Sequence, residues 1–224
     1  MSLRHGSIES FFLEGEAGRL EAVLNLGLAD AKYACVVCHP HPLFGGTMHN
    51  KVVFHAMKAL NAFGFPVLRF NFRGAGTSMG EHDYGRGEIA DVRVALDYLA
   101  GRFSLPILFA GFSFGAAIGL AAAVPDPRVA ALIALGIPVN ADGREYDYNL
   151  LQGSEKPKLL LSGGNDEFAT AAQLAQVFAK AAKPKRLVVI PNADHFFAGH
   201  LEEMRSALSG WVQEVVGPTG ISAV

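Results

Sequence analysis

Cysteine is scarce in this sequence of 224 residues: only Cys35 and Cys38 occur, and both lie in one apolar segment. Side chains three residues apart on a β-strand point to opposite faces. A disulfide between the two thiols, or a metal ion shared by them, is therefore not expected. We interpret them as buried thiols, which suits the reducing cytoplasm.

Secretion signals, membrane spans and clusters of basic residues are also missing. No stretch reaches the roughly 18 apolar residues of a transmembrane helix, and residues 1–10 lack the apolar core of a signal peptide. The formal net charge is -2, which argues against nucleic acid or an anionic membrane as the main partner. We expect a cytoplasmic protein that binds neither.

Hydrophobic residues make up 50% of the chain, which is enough for a large core. We predict one domain over residues 1–224, with loose tails at 1–7 and 217–224. From residue 33 onward, short apolar segments alternate with segments of helical periodicity. This alternation predicts a mostly parallel sheet with helices on both faces. The predicted strands are 8–14, 18–26, 33–38, 66–72, 106–110, 129–137, 158–161 and 186–190. The predicted helices are 47–63 (or from 50), 87–100, 115–123, 167–182 and 200–216.

One stretch has the pattern Gly-x-Ser-x-Gly, from Gly111 to Gly115 with Ser113 at its centre. A predicted strand precedes it and a run of small residues, predicted to be helical, follows it. A serine on a sharp turn between strand and helix is the context of an exposed nucleophile. We therefore predict Ser113 as the nucleophile; a glycine-rich turn with an incidental serine is the alternative.

A serine hydroxyl needs a base to activate it, and the base needs a group that fixes its tautomer. Asp166 and His195 each follow the end of a predicted strand, where the active residues of such sheets gather. The chain order serine, acid, histidine matches that of the nucleophile-elbow enzymes. His200 is the one other histidine after Asp166, and we assign it to the last helix.

Two other carboxylates compete with Asp166 for the role of the acid. Glu167 is predicted to begin a helix, where a carboxylate commonly interacts with the helix dipole. Asp194 is adjacent to His195 and poorly placed to reach the far side of its ring. We therefore predict a catalytic triad of Ser113, Asp166 and His195, against the alternative that the last two are ordinary loop residues.

Stabilisation of an oxyanion needs two backbone N–H groups. One is expected from Phe114, after the nucleophile, and the other from the loop that follows strand 33–38. Pro40 and Pro42 have no N–H, which leaves His41 or Leu43. We predict His41 because it is closer to the end of the strand.

Two other patterns do not predict a cofactor or metal site. Gly74-x-Gly76 follows a strand, but the third glycine of a dinucleotide-binding loop is replaced by Met79. The histidines at 39, 41, 49 and 55 lack the helical His-x-x-x-His spacing of a ligand pair. We expect no metal.

These motifs resemble the α/β-hydrolase family over about residues 33–216, and most closely the small bacterial dienelactone hydrolase-like serine hydrolases. The similar segments are His39-Pro40-His41-Pro42, residues 45–51 and Phe70-Asn71-Phe72-Arg73-Gly74, together with the serine turn and the loops of Asp166 and His195. The resemblance implies the α/β-hydrolase fold, in three layers with a mostly parallel sheet of about eight strands. It also implies the triad named above and no cofactor.

The chain departs from this pattern in its nucleophile, because dienelactone hydrolases use a cysteine where this chain has Ser113. Simple carboxylic esters are therefore the expected substrates. Many relatives also carry a large lid, whereas only residues 138–156 are available for one here. We predict a minimal lid and an open site, with walls formed by Phe44, Phe114, Tyr146 and Tyr148.

The expected activity is that of a serine hydrolase of carboxylesterase type, cleaving small soluble esters or thioesters through an acyl-enzyme. Peptidase or acyltransferase activity on the same triad is one alternative. A catalytically silent binding protein is another. The sequence is compatible with a monomer or a homodimer.

Overall fold

The computed structural model describes residues 7–141 and 143–217. The predicted tails at 1–7 and 217–224 lie outside these residues except for Ser7 and Gly217. The described strands are β1 (Ile8–Gly15), β2 (Gly18–Asn25), β3 (Ala34–Cys38), β4 (Val67–Phe70), β5 (Ile107–Phe112), β6 (Val129–Leu135), β7 (Asn140–Ala141), β8 (Arg144–Glu145), β9 (Lys158–Gly163) and β10 (Lys185–Ile190). The described α-helices are α1 (Lys51–Asn61), α2 (Gly87–Phe103), α3 (Phe114–Ala123), α4 (Ala171–Lys180) and α5 (Leu201–Val216).

Eight strands form one sheet in the order β1-β2-β4-β3-β5-β6-β9-β10. β2 pairs antiparallel with β1 and β4. The other neighbouring strands of this sheet, in the order β4-β3-β5-β6-β9-β10, pair in parallel. Helices α2 and α3 pack on one face of the sheet, and α1 and α5 on the other. The predicted three-layer α/β architecture is confirmed. The carboxyl ends of the parallel strands consequently lie along one edge of the sheet.

The central strands are buried on both faces, which explains their continuous apolar runs. In β3, Ala34, Val36 and Cys38 pack on the α2–α3 side, while Cys35 and Val37 pack on the α1–α5 side. Both cysteines are fully buried and free, as predicted. Burial raises the pKa of both thiols, which keeps them protonated near neutral pH.

The helix predicted over 167–182 begins later, at Ala171. Thr170 caps it: the Thr170 side chain accepts the Gln173 N–H, and the Gln173 side chain accepts the Thr170 N–H. This capping box fixes the start of the helix. Residues 164–169 are left as a loop at the end of β9, and this loop carries Asp166.

The short segment 138–156 forms the β7–β8 hairpin and a single-turn 3-10 helix, Asn149–Gln152. Its described residues contain no α-helix, in agreement with a minimal lid. Arg144 donates a hydrogen bond to the carbonyl of Tyr84 at 2.8 Å and lies over the ring of Tyr146. The hairpin is thereby fixed to the loop that precedes α2. Among the described residues, no helix is long and apolar enough to cross a membrane.

Candidate active site

Ser113 lies on the sharp turn between β5 and α3 with φ 54° and ψ -122°. A positive φ is unfavourable for a residue other than glycine and is typical of strained functional positions. The turn is possible because its flanking glycines have no side chains. A Cβ on Gly111 would lie 2.6 Å from the carbonyl oxygen of Gly115, and one on Gly115 would lie 2.3 Å from that of His39.

The structure brings the three predicted triad residues together. Nε2 of His195 is 2.9 Å from Oγ of Ser113, and Nδ1 of His195 is 2.9 Å from Oδ2 of Asp166. The three side chains follow β5, β9 and β10, so the parallel sheet itself places them at one edge. Their arrangement is that of a nucleophile, a base and a carboxylate that orients the base.

The loop of Asp166 is tied to the loop of His195 by backbone contacts. The N–H groups of Gly164 and Asn165 donate to the carbonyls of Ile190 and Ala193 at 2.8 and 2.9 Å. A Cβ on Gly163 would lie 2.3 Å from the Ala193 carbonyl oxygen. The close approach of the two loops sets the distance between acid and histidine.

The carboxylate of Asp166 is held from two further sides. Ser162 donates its hydroxyl to Oδ2 at 3.0 Å, and the N–H of Phe168 donates to Oδ1 at 2.9 Å. The side chain of Asp166 is fully buried. These bonds fix its orientation and satisfy a charge that would be costly to bury without partners.

Three aromatic rings surround the imidazole of His195, and we did not predict their role. The rings of Phe112, Phe168 and Phe196 have centroids 4.9, 4.5 and 5.2 Å from that of His195. Phe168 is two residues after the acid and Phe196 is directly after the histidine, and that proximity in sequence was the available signal. The rings restrict the rotation of the imidazole.

The side chains that compete for these roles lie in other surroundings. Glu167 is exposed. Asp194 accepts the N–H of Ala198 at 2.8 Å, which closes its own loop. Nδ1 of His200 is 3.1 Å from a carboxylate oxygen of Glu203 at the start of α5. Asp166 is therefore the carboxylate that contacts His195.

His39 braces the loop that follows β3. It is fully buried; Nδ1 is 2.6 Å from the Pro40 carbonyl, and Nε2 accepts the Phe72 N–H at 2.9 Å. This pattern requires a neutral ring with its proton on Nδ1. Burial lowers the pKa of His39 to about 4, against a smaller opposing effect of the hydrogen bond to Pro40.

The neutral His39 predicts a pH dependence of stability. The unfolded chain binds this proton with a pKa of about 6.5, so the stabilisation is present above that pH and is lost as the pH falls towards the folded value. Between about pH 7 and about pH 5 the free energy of unfolding should fall by about 2 kcal/mol more in the parent than in His39→Gln. Urea unfolding at both pH values measures this difference, and equal losses would contradict it.

The side chain of His41 lies among three aromatic rings. Its ring centroid is 4.9 Å from that of Phe44, 4.6 Å from Phe114 and 4.7 Å from His82. Nδ1 of His41 accepts the N–H of Leu43 at 3.3 Å. The N–H of Leu43, the alternative oxyanion donor, therefore points to this imidazole.

A cavity of about 160 Å³ opens above Ser113 and His195. Phe44, Phe114 and Tyr146 line it, as do Phe168 and Phe196. Tyr148, which we predicted as a wall, is not part of the lining. It is buried instead, and its hydroxyl donates to the Pro138 carbonyl at 2.6 Å. The prediction for Tyr148 was wrong because the side chain turns inward to the Pro138 carbonyl and away from the cavity.

A wider groove of about 600 Å³ adjoins this cavity and shares Gly45, Asn50 and Phe196 with it. Further along, the groove is lined by Lys51 at the start of α1 and by Leu201 at the start of α5. Phe196, which lines the groove, directly follows His195 in sequence. The site thus consists of a small cavity and a larger, open groove on the histidine side.

Within the described residues, no group of three or more His, Cys, Asp or Glu side chains is placed to hold a metal ion.

Comparisons with known proteins agree with this architecture. The family model for the alpha/beta hydrolase domain matches residues 37–215. An uncharacterised protein of Rickettsia prowazekii is 34% identical over 208 residues, which cover 90% of this chain and 87% of that protein.

Two solved structures are similar over nearly the whole chain. An alpha-beta serine hydrolase homologue from Coxiella burnetii is 38% identical, with a TM-score of 0.83, covering 90% of this chain and 96% of its own. XC6422 from Xanthomonas campestris, described as an a/b serine hydrolase without lid, is 32% identical with a TM-score of 0.83, covering 95% of this chain and 97% of its own. The closer resemblance to dienelactone hydrolases stays a sequence prediction. By fold and by sequence, this chain belongs to the alpha/beta-hydrolase family.

Proposed function

We propose that this protein is a serine hydrolase of carboxylesterase type. The observation that carries the proposal is the continuous contact from Oγ of Ser113 through His195 to Asp166, with 2.9 Å at each step. The similarity to a serine hydrolase homologue and to a serine hydrolase without lid supports it. The nucleophile also borders a cavity that a substrate could enter.

In the proposed reaction, Oγ of Ser113 attacks the carbonyl carbon of the ester while its proton passes to Nε2 of His195. The carbonyl electron pair moves onto oxygen and forms a tetrahedral oxyanion. His195 then gives the proton to the leaving alkoxide, and an acyl-enzyme remains on Ser113. A water molecule then attacks the acyl-enzyme in the same way, with His195 as the base. This step releases the carboxylic acid and restores the hydroxyl of Ser113. Asp166 accepts the Nδ1–H throughout and stabilises the imidazolium.

The backbone N–H groups of Phe114 and His41 are proposed to bind the oxyanion. Phe114 is the first residue of α3, and the first N–H groups of a helix have no partner within the helix. Pro40 and Pro42 lack N–H groups. Leu43 already donates to the side chain of His41, which supports His41 as the second donor.

The shape of the site favours esters with a small acyl group. An apolar cavity of ~150 Å³ holds a molecule the size of benzene, and the cavity above Ser113 is of similar volume, about 160 Å³. His195 must deliver its proton to the leaving oxygen, so the leaving group lies on the histidine side, where the wider groove begins. We therefore propose that the acyl group occupies the cavity and the alcohol part extends into the groove.

A panel of esters tests this proposal. With one common leaving group, kcat/KM should be highest for acyl chains of about two to four carbons and should fall beyond about six, the limit of a benzene-sized cavity. With the acyl group kept at acetyl, enlarging the alcohol should have little effect. Ser113→Ala serves as the blank. Rates that keep rising through long acyl chains would contradict the assignment of the cavity.

The proposed substrate is a small molecule, and nucleic acid and membranes are not proposed as partners. Thioesters react by the same chemistry, and peptidases and acyltransferases use the same triad. Thioester and amide substrates in the panel distinguish these activities. A cytoplasmic location remains a prediction from the sequence.

A further inference from the structure

A buried pair of an acid and an imidazole lies behind the residues proposed to bind the oxyanion. Nδ1 of His82 is 2.7 Å from Oε1 of Glu88, and the two side chains are 5% and 0% exposed. The two atoms are close, but they are not aligned for a hydrogen bond. Neither residue belongs to the triad. Burying a carboxylate so completely is costly unless its partners compensate. The burial of Glu88 therefore needs a structural or functional explanation.

The carboxylate of Glu88 organises the loop that precedes α2. Its two oxygens accept the N–H groups of Asp83 and Gly85, each at 2.8 Å. Within this turn Tyr84 has φ 51° and Gly85 has φ 86°, and the left-handed region is unfavourable for a tyrosine. Glu88 thus stabilises this loop in a conformation that is locally unfavourable at Tyr84.

The same loop brings the ring of His82 against both proposed oxyanion residues. Its centroid is 4.7 Å from the ring of His41 and 5.5 Å from that of Phe114, which are themselves 4.6 Å apart. The three rings form one packed cluster. Two of them belong to the residues whose backbone N–H groups are proposed to face the substrate.

From this arrangement we infer that Glu88 and His82 are positioning residues for the oxyanion hole. Glu88 fixes the loop, and the ring of His82 bears on His41 and Phe114 so that their two N–H groups keep the spacing the transition state requires. Donors of this kind act through their preorganisation, and a displacement of about 1 Å costs up to ~100-fold in rate. The inference rests on the proposed function.

Asp83 provides a matched control within the same loop. Its carboxylate accepts the N–H of Gly87 at 3.1 Å and the guanidinium of Arg86 at 2.9 Å. It therefore supports the start of α2, as Glu88 does. The bonds of its side chain lead to the start of α2 and not to the ring cluster, so Asp83→Asn should weaken the start of the helix and leave the ring cluster in place.

The test compares Glu88→Gln, His82→Ala and Asp83→Asn with the parent, using a short-chain ester and a trifluoromethyl ketone. Oγ of Ser113 adds to the ketone carbon, its proton passes to His195, and the carbonyl pair becomes an oxyanion in the same hole. In the first two variants we expect kcat to fall ~10- to 100-fold, with KM within about twofold. The inhibition constant of the ketone should rise by the same factor as kcat/KM falls. Asp83→Asn should leave kcat and the inhibition constant near the parent values.

Glutamine keeps the shape of the Glu88 side chain. Circular dichroism and thermal unfolding define the temperature range in which all variants are folded. His82→Phe keeps a ring at the contact and should lose less activity than His82→Ala. Unchanged kcat and ketone affinity in folded Glu88→Gln would overturn the inference. So would a loss of kcat with no weakening of the ketone, or equal losses in His82→Phe and His82→Ala. Full activity in Ser113→Ala would instead refute the proposed function itself.

Discussion

Replacement of Ser113 by alanine is expected to reduce kcat for ester hydrolysis by roughly 10⁶, the effect of removing the nucleophile of a triad. Alanine has no atom that can form the acyl-enzyme, and His195 loses the group from which it takes the proton. The oxyanion donors and the cavity remain, so a small residual rate over water is expected. Hydrolysis of a short-chain ester by purified parent and variant measures the loss.

The variant should stay folded, because Oγ of Ser113 contacts His195 and is not part of the core. The positive φ of Ser113 is equally unfavourable for alanine, so the substitution adds little strain. Matching circular dichroism and thermal unfolding are the control. If folded Ser113→Ala kept the parent rate, and a contaminating esterase had been excluded, Ser113 would not be the nucleophile.

Asp166→Asn should lower kcat by about 10⁴ while the fold is retained. The amide cannot replace a carboxylate that both accepts the Nδ1–H and stabilises the imidazolium. An asparagine that donates to Nδ1 instead would favour the wrong tautomer of His195, with the proton on the nitrogen that faces Ser113. Steady-state kinetics on a short-chain ester give the change in kcat.

Glu167→Gln and Asp194→Asn are the matched controls for this prediction. Glu167 is exposed, and Asp194 closes its own loop through the Ala198 N–H. Both variants should therefore keep kcat within about tenfold of the parent, since neither side chain contacts the ring. A larger loss in either control than in Asp166→Asn would transfer the acid role away from Asp166.

The main features of the fold, and the contact of His195 with Ser113 and Asp166, were predictable because they depend on local sequence patterns. The elbow requires small residues on both sides of Ser113, and these are visible at Gly111 and Gly115. The positions of Asp166 and His195 follow from a general property of parallel sheets, whose strand ends meet at one edge. Only the chain order of the residues and the strand ends were needed for this prediction.

Side-chain directions and contacts between distant segments were not predictable in this way. Tyr148 lies in a polar stretch near the site, and nothing local indicates that its hydroxyl turns inward to Pro138. The late start of α4 depends on the capping box at Thr170, which competes with helical periodicity over the preceding residues. The pair of His82 and Glu88 needs a loop geometry that only the folded chain defines.

The most direct test of the central claim is a mass measurement after reaction with a fluorophosphonate, which adds covalently to an activated serine and releases fluoride. Intact-protein and peptide masses report how many adducts form and on which residue. We predict one adduct per chain, located on Ser113, and none on the folded Ser113→Ala protein under the same conditions. An adduct on another residue, equal labelling of the alanine variant, or no reaction of the folded parent would contradict the assignment of this protein as a serine hydrolase acting through Ser113.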